Sequence, residues 1–346
     1  MSQPYIVYGM QASYFTRKLL GLLAYKDIAV DFRPKTIAVR ETVEQNAGTH
    51  QVPVIHAPDG TWMADTTPIA LAIDRQFPGS DLLPGADRPV PRMAARVLED
   101  FFDEWTTRQA VHFRWHNDAD TEFAGGSLAR DVAGLPQEGD LDDQQRTLTD
   151  TIATMIRTWG LGACERVGAA EANRAEMEGE FIAWMKLLDQ HFAGSRFLLG
   201  DRPCLADFAL YGANVAHFTN DPTPKAIVAQ AAPNVMAFTD RLGATRAADG
   251  VPEWPAEDTL PATLMPVLDY VGGTFHRFLN ANRRAIDMGE KTLVMDFGYG
   301  DNTLHVRRYT DRCRAEIAGE IDALPDDARA RVEAALDPRG CWAAYR

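Results

Sequence analysis

QASYFTRK, residues 11–18, follows the short apolar run PYIVYG (residues 4–9) and leads into the apolar run RKLLGLLAY (residues 17–25). Tyr5 to Tyr8 reads as a strand. Ser13 to Ala24 places Phe15, Leu19, Leu20, Leu22 and Leu23 at spacings that bury one face of a helix. The strand therefore delivers Ser13, Tyr14, Phe15 and Thr16 to a helix N-terminus, where backbone N–H groups lack intrahelical partners. Further on, Ile28 to Phe32 reads as a second strand and Val39 to Asn46 as a polar helix. VPVIHAPDGTWMA (residues 52–64) sets two short apolar runs about Asp59-Gly60, the signature of a hairpin. Thr66 to Phe77 returns to helical spacing through Ile69, Leu71, Ala72, Ile73 and Phe77. This order implies an α/β unit, a mixed sheet flanked by helices with its first two strands parallel.

FPGSDLLPGADRPVP (residues 77–91) breaks the pattern with four prolines and two glycines and reads as a linker. Beyond it the spacing predicts helices over Met93 to His116, Leu148 to Gly160, Arg174 to Phe192, Asp207 to His217 and Pro233 to Leu242. The acidic, Gly-bearing stretch from Asn117 to Gln145 reads as a long loop, either a cover for a site or an insertion. From residue 251 the chain changes again. A helix over Leu264 to Arg283 leads to KTLVMDFGYGDNTLHVRRY, two β-like runs about the turn GYGDN, and then to helices over Thr310 to Leu324 and Asp327 to Leu336. The expected division is residues 1–80, a linker over 81–91, a helical domain over 92–250 and a C-terminal extension over 251–346.

Composition limits the partners. The 346 residues carry 49 acidic and 35 basic side chains, a formal charge of -14. Such a chain is repelled by nucleic acid and by anionic membranes at long range. No stretch approaches the roughly 20 apolar residues of a membrane span, and a cytoplasmic location is expected. Cys164, Cys204, Cys313 and Cys341 are widely spaced and form no CxxC pair, which argues against a disulfide scaffold or a zinc site.

Taken as a set, SYFTRK (13–18), QVPVI (51–55), ADTTPI (64–69) and FLLGDRPCLADFALYG (197–212) resemble the glutathione transferase superfamily over roughly residues 4–245. The resemblance implies a thioredoxin-like α/β domain followed by an all-α, glutathione-transferase-like helical domain, here with an added C-terminal segment of helices and a β-hairpin. It also implies glutathione as cosubstrate and a homodimer. Ser13 matches the hydroxyl that hydrogen-bonds the glutathione sulfur in serine-type members, while Tyr8 is its rival, since other branches use a tyrosine at the end of the first strand. A free thiol with a pKa of about 8.5 is about 3% thiolate at pH 7; lowering it by about two units, worth about 2.7 kcal/mol, raises that to roughly three quarters.

The other motifs fill out the ligand. Gln51, Val52 and Pro53 match the strand edge whose backbone pairs with the cysteinyl part, with a cis bond expected before Pro53. Asp65 and Thr66 stand where the family more often has Glu-Ser and would take the γ-glutamyl ammonium and carboxylate. Pro68 fits the first turn of the following helix. Cys204 replaces the usual Ser or Thr cap of the downstream helix, and Asp207 keeps a structural role.

An electrophile must bind near Ser13. Along LEDFFDEWTTRQAVHFRWH (98–116), Trp105, Arg108 and His112, joined by Tyr14, are the expected lining of a pocket for a flat hydrophobic molecule. His112 and His116 have the i, i+4 spacing of a metal pair, but no third ligand accompanies them and no metal is expected. The expected reaction is attack of the glutathione thiolate on an electrophilic carbon. The departures at Asp65, Pro68 and Cys204 leave room for a non-catalytic glutathione-binding or scaffold protein, whereas a thiol-disulfide reductase would need Cys at position 13.

Overall fold

The computed structural model describes residues 3–346. Its first part is a four-stranded sheet of order β2-β1-β3-β4. The strands are β1 (Tyr5–Gly9), β2 (Val30–Pro34), β3 (Val54–His56) and β4 (Trp62–Ala64), joined by α1 (Tyr14–Tyr25) and α2 (Ile37–Ala47) and followed by α3 (Thr66–Gln76). β1 and β2 are parallel; β3 is antiparallel to β1 and to β4. This is the thioredoxin-like arrangement that the resemblance implies. α1 buries Leu19, Leu22, Leu23 and Tyr25, the spacing that made it legible.

Register fixes where the connecting loops emerge. Tyr8 faces Val54, and Val54 faces Ala64. The exit of β1 toward Ser13, the entry of β3 after Pro53 and the exit of β4 toward Asp65 therefore share one end of the sheet. Both α1 and α3 begin there.

The helical part comprises α4 (Pro89–Glu104), α5 (Thr107–His116), α6 (Asp118–Ala133), α7 (Asp143–Arg166), α8 (Arg174–Phe192), α9 (Leu205–Ala213), α10 (Pro222–Ala231) and α11 (Pro233–Ala244). Two expectations are corrected here. The helix expected over Met93 to His116 breaks after Glu104, where the Thr106 hydroxyl donates to the Phe102 carbonyl at 2.8 Å and the Tyr14 hydroxyl donates to the same oxygen at 2.5 Å. The loop expected over Asn117 to Gln145 contains α6, packed along α7. Its buried face carries the small residues Thr121, Ala124, Gly125 and Ala129 together with Asp120 and Asp131, and no large apolar side chain. A search for large apolar side chains gives such a face little weight, although it allows two helices to approach closely.

The C-terminal part holds α12 (Met265–Val271), α13 (Arg277–Asp287), the hairpin β5 (Thr292–Asp296) and β6 (Asp301–His305), α14 (Arg308–Asp322) and α15 (Asp326–Leu336). The single helix expected over Leu264 to Arg283 is interrupted by one wider turn, Gly272–His276. α14 and α15 pack on α4. Among the described residues, no helix is long and apolar enough to cross a membrane.

Candidate functional site

Ser13 is the N-cap of α1, with extended backbone (φ -91°, ψ 126°) and its Oγ accepting from the Thr16 N–H at 3.4 Å. It is partly exposed. The preceding loop is pinned from both sides. The Gln11 N–H donates to Asp131 of α6 at 2.5 Å, Arg17 donates to the Gln11 carbonyl at 2.8 Å, and Arg114 of α5 donates to the Ala12 carbonyl at 2.7 Å. Arg114 is itself held by buried Asp221 at 2.8 Å. Burial pushes the Asp131 carboxyl above its ordinary pKa, against the pull of its hydrogen bonds to Gln11 and Gln137. Asp131 and Arg114 are thus supports that sequence reading missed, Asp131 lying in the stretch read as a loop.

Tyr8 is placed differently. A Cβ built on Gly9 would lie 2.6 Å from the Thr16 side chain, so Gly9 turns toward α1. Side chains alternate along a strand, so Tyr8 projects from the other face of the sheet. There its ring stacks on Trp62, with centroids 5.7 Å apart and planes at 13°.

The Val52-Pro53 bond is cis. Pro53 is buried, Val52 is half-buried and Gln51 is exposed, its N–H donating to Thr49 Oγ1 at 3.2 Å. Buried Lys35 steadies this loop by donating to the His50 carbonyl at 2.7 Å. Asp65 caps α3, its carboxylate accepting from the Thr67 N–H at 3.4 Å. Its φ of +75° lies where L residues rarely sit. Thr66 is buried, while the Thr67 hydroxyl donates to Glu99 of α4. Two capped helix N-termini and a strand entry thus surround one end of the sheet, a place suited to a ligand with anionic groups and an ammonium.

The residues expected to form the electrophile wall lie inside the protein. Tyr14, Trp105, Arg108 and His112 are all buried and line no open surface. The Tyr14 hydroxyl lies between the Phe102 carbonyl and Thr106 Oγ1. The Trp105 ring packs on Phe278 of α13 at 5.1 Å and on Phe297 of the β5–β6 turn at 5.7 Å. Arg108 is sandwiched between the Trp105 and Phe297 rings, 4.2 and 4.6 Å from their centroids. The His112 ring packs edge-on against Phe113, and burial lowers its pKa to about 3. The cover over Trp105 and Arg108 comes from the C-terminal segment, whose contact with these residues no local pattern announces.

All four cysteines are reduced, and burial raises the pKa of each thiol, to about 12 for Cys164 and Cys341. A cleft of about 370 Å³ opens between Tyr25, Phe197, Arg241 and Arg246. It lies beside the last residue of α1, about three helical turns from Ser13.

Residues 7–81 match the family described as glutathione S-transferase, N-terminal domain, and residues 169–245 match glutathione S-transferase, C-terminal domain. Among solved structures, the β-etherase LigF from Sphingobium sp. strain SYK-6 is 15% identical with a TM-score of 0.49, over 70% of this chain and 96% of its own. Glutathione transferase GSTFuA3 from Phanerochaete chrysosporium is 14% identical with a TM-score of 0.45, over 71% and 98%. A glutathione S-transferase from Methylobacterium radiotolerans, in complex with glutathione sulfonate, is 21% identical with a TM-score of 0.42, over 75% and 100%. No curated protein matches the chain.

Proposed function

The chain belongs to the glutathione S-transferase superfamily, and on that premise we propose that it binds glutathione at the Ser13 end of the sheet and transfers the thiolate to a hydrophobic electrophile. The observation that carries the reading is the convergence of the Ser13-capped α1, the Asp65-capped α3 and the start of β3. In this reading Ser13 Oγ donates to the sulfur, and the α1 N-terminus adds its favourable field. The Val52 backbone pairs with the cysteinyl unit, and Asp65 takes the γ-glutamyl ammonium. The thiolate forms a bond to the electrophilic carbon, and the group displaced there leaves with the bonding electrons. Tyr8 stands on the face of the sheet away from α1, which supports Ser13 as the sulfur's partner. The implied cytoplasmic homodimer belongs to the same reading.

A non-catalytic glutathione-binding role is favoured by one observation, the burial of Tyr14, Trp105, Arg108 and His112. Reductase chemistry is disfavoured because a thiol attacks as thiolate, and burial holds each of the four cysteines in the protonated form.

Calorimetric titration of glutathione, combined with the ultraviolet absorbance of the bound thiolate, tests the assignment. Wild type should bind and show thiolate. Ser13→Ala should bind within a few-fold yet lose the thiolate signal, and Asp65→Ala should bind about tenfold more weakly or worse. Absence of binding by wild type overturns the proposal. Thiolate formation without turnover of any aromatic electrophile in a panel transfers support to the scaffold reading.

A further inference from the structure

Asp65 has a second neighbour, 244 positions downstream. Tyr309 is the second residue of α14, and its hydroxyl donates to Asp65 Oδ2, while Oδ1 faces the Thr67 N–H. The contact is no accident of a loose tail, because α14 is anchored to α4 on both sides of it. Arg307 donates to the Glu104 carbonyl at 2.6 Å and pairs with the Glu104 carboxylate at 3.0 Å. The Thr310 hydroxyl donates to the same carboxylate, and Glu320 pairs with Arg96 at 3.0 Å. α4 also supplies Glu99, which accepts from Thr67, two residues after Asp65. α3, α4 and α14 thus form a closed circuit about one carboxylate.

We propose that Tyr309 is a positioning residue of the γ-glutamyl subsite, supplied by the C-terminal segment: its phenol fixes the Asp65 carboxylate in the orientation that receives the ligand's ammonium. The inference rests on the glutathione reading above. An ionised carboxylate offers about four lone-pair positions. One is taken by Tyr309 and one by the long contact from Thr67, so acceptor capacity remains for an ammonium. A phenol donating to a carboxylate makes a charge-assisted bond that restrains rotation of the group. Burial, and then the bond to Asp65, raise the Tyr309 pKa, so the phenol stays protonated and remains a donor. Tyr309 is 40% exposed, so the Asp65 subsite it borders is reachable from solvent.

Glutathione and its analogue lacking the α-amine are titrated against wild type, Tyr309→Phe, Asp65→Asn and the double variant, with melting midpoints measured alongside. Tyr309→Phe should bind glutathione about tenfold more weakly and bind the deaminated analogue as wild type does, at an unchanged midpoint. The double variant should bind no worse than Asp65→Asn, because the phenol acts through that carboxylate. Should Tyr309→Phe melt lower than wild type, titrations well below both midpoints must still show the same selective loss. Equal affinity of Tyr309→Phe and wild type for glutathione overturns the proposal and leaves the function above intact. Equal losses for both ligands overturn it as well, as does tighter binding, which would make Tyr309 a competitor of the ammonium. Failure of wild type to bind glutathione takes down both readings together.

Discussion

At Asp65 the backbone and the side chain have opposed demands. A φ of +75° in a residue other than glycine costs of order 1–3 kcal/mol, a penalty that persists where surroundings over-determine it. Asp65→Gly removes the steric cost, and glycine is nearly as good an N-cap as aspartate. The variant is expected to change unfolding free energy by less than about 1 kcal/mol, relief of the backbone offsetting the lost bond to Tyr309, while losing glutathione binding. His276 poses a different conflict. It is buried with neither ring nitrogen partnered by protein, and burial lowers its pKa to about 3, against about 6.5 for a free histidine. Below pH 6.5 the unfolded chain binds a proton there that the folded chain refuses, so stability is lost as pH falls from about 6.5 toward about 3. His276→Leu removes that proton difference, so relative to wild type it should gain on the order of 3 kcal/mol at pH 4. Parallel unfolding curves at pH 7 and pH 4 check it, and an unchanged difference would count against it. Ser13, Pro53 and Asp65 were legible in the sequence because each sits in a short motif with a local physical reason. Tyr309 and Asp131 were not, because a hydrogen bond across 244 or 120 positions leaves no local trace.

At the scale of elements, α4 decides how the α/β and helical parts meet. It buries Glu99, Asp100, Asp103 and Glu104, acids that its sequence presents as an ordinary charged face. Cations offset three of them, coming from α1, from α4 itself and from Arg307 beside Glu104. Lys18 of α1 lies 2.7 Å from Glu99 and 2.5 Å from Asp103, and Arg96 lies 2.5 Å from Glu99. Burial alone would lower the Lys18 pKa, but Asp103 and Glu99 outweigh it and hold the ammonium charged. Breaking one side of a buried ion network leaves uncompensated charge, so Lys18→Met should cost about 3–5 kcal/mol. Adding Asp103→Asn should restore part of the loss, and a double-mutant cycle measures how much. Additive losses would show that the two groups do not act as a pair. Periodicity disclosed α1, α3, α8 and α11, whose buried stripes carry large apolar residues. It missed α6, whose stripe is small, and the α4–α5 break, where Tyr14 from another element joins Thr106 on the Phe102 carbonyl.

For the whole molecule, the C-terminal segment acts as structure rather than appendage. α14, α15 and α12 cover α4 on the sides that α9 leaves free, so that only Arg92 of its residues escapes burial. The final turn is inserted: Cys341, Trp342, Ala344 and Tyr345 are buried, Tyr345 reaches Asp100 at 3.3 Å, and Arg314 of α14 donates to the Ala344 carbonyl at 3.3 Å. This turn can approach only because position 272 has no side chain. A Cβ on Gly272 would lie 1.9 Å from the Arg339 carbonyl oxygen and 2.9 Å from two further backbone carbons, none of which can rotate away. Gly273 is the natural control, since a Cβ there meets nothing within 4 Å. Gly272→Ala should therefore lose at least about 3 kcal/mol, the scale of uncovering buried aromatic side chains, whereas Gly273→Ala should be neutral or slightly stabilising through better helix propensity. The displaced turn also releases its hold on α14 through Arg314. Gly272→Ala should accordingly become sensitive to proteolysis beyond β6 and, because α14 carries Tyr309, bind glutathione more weakly than Gly273→Ala. Equal unfolding midpoints for the two alanine variants would mean that the C-terminal turn shifts without cost and that the segment does not clamp α4.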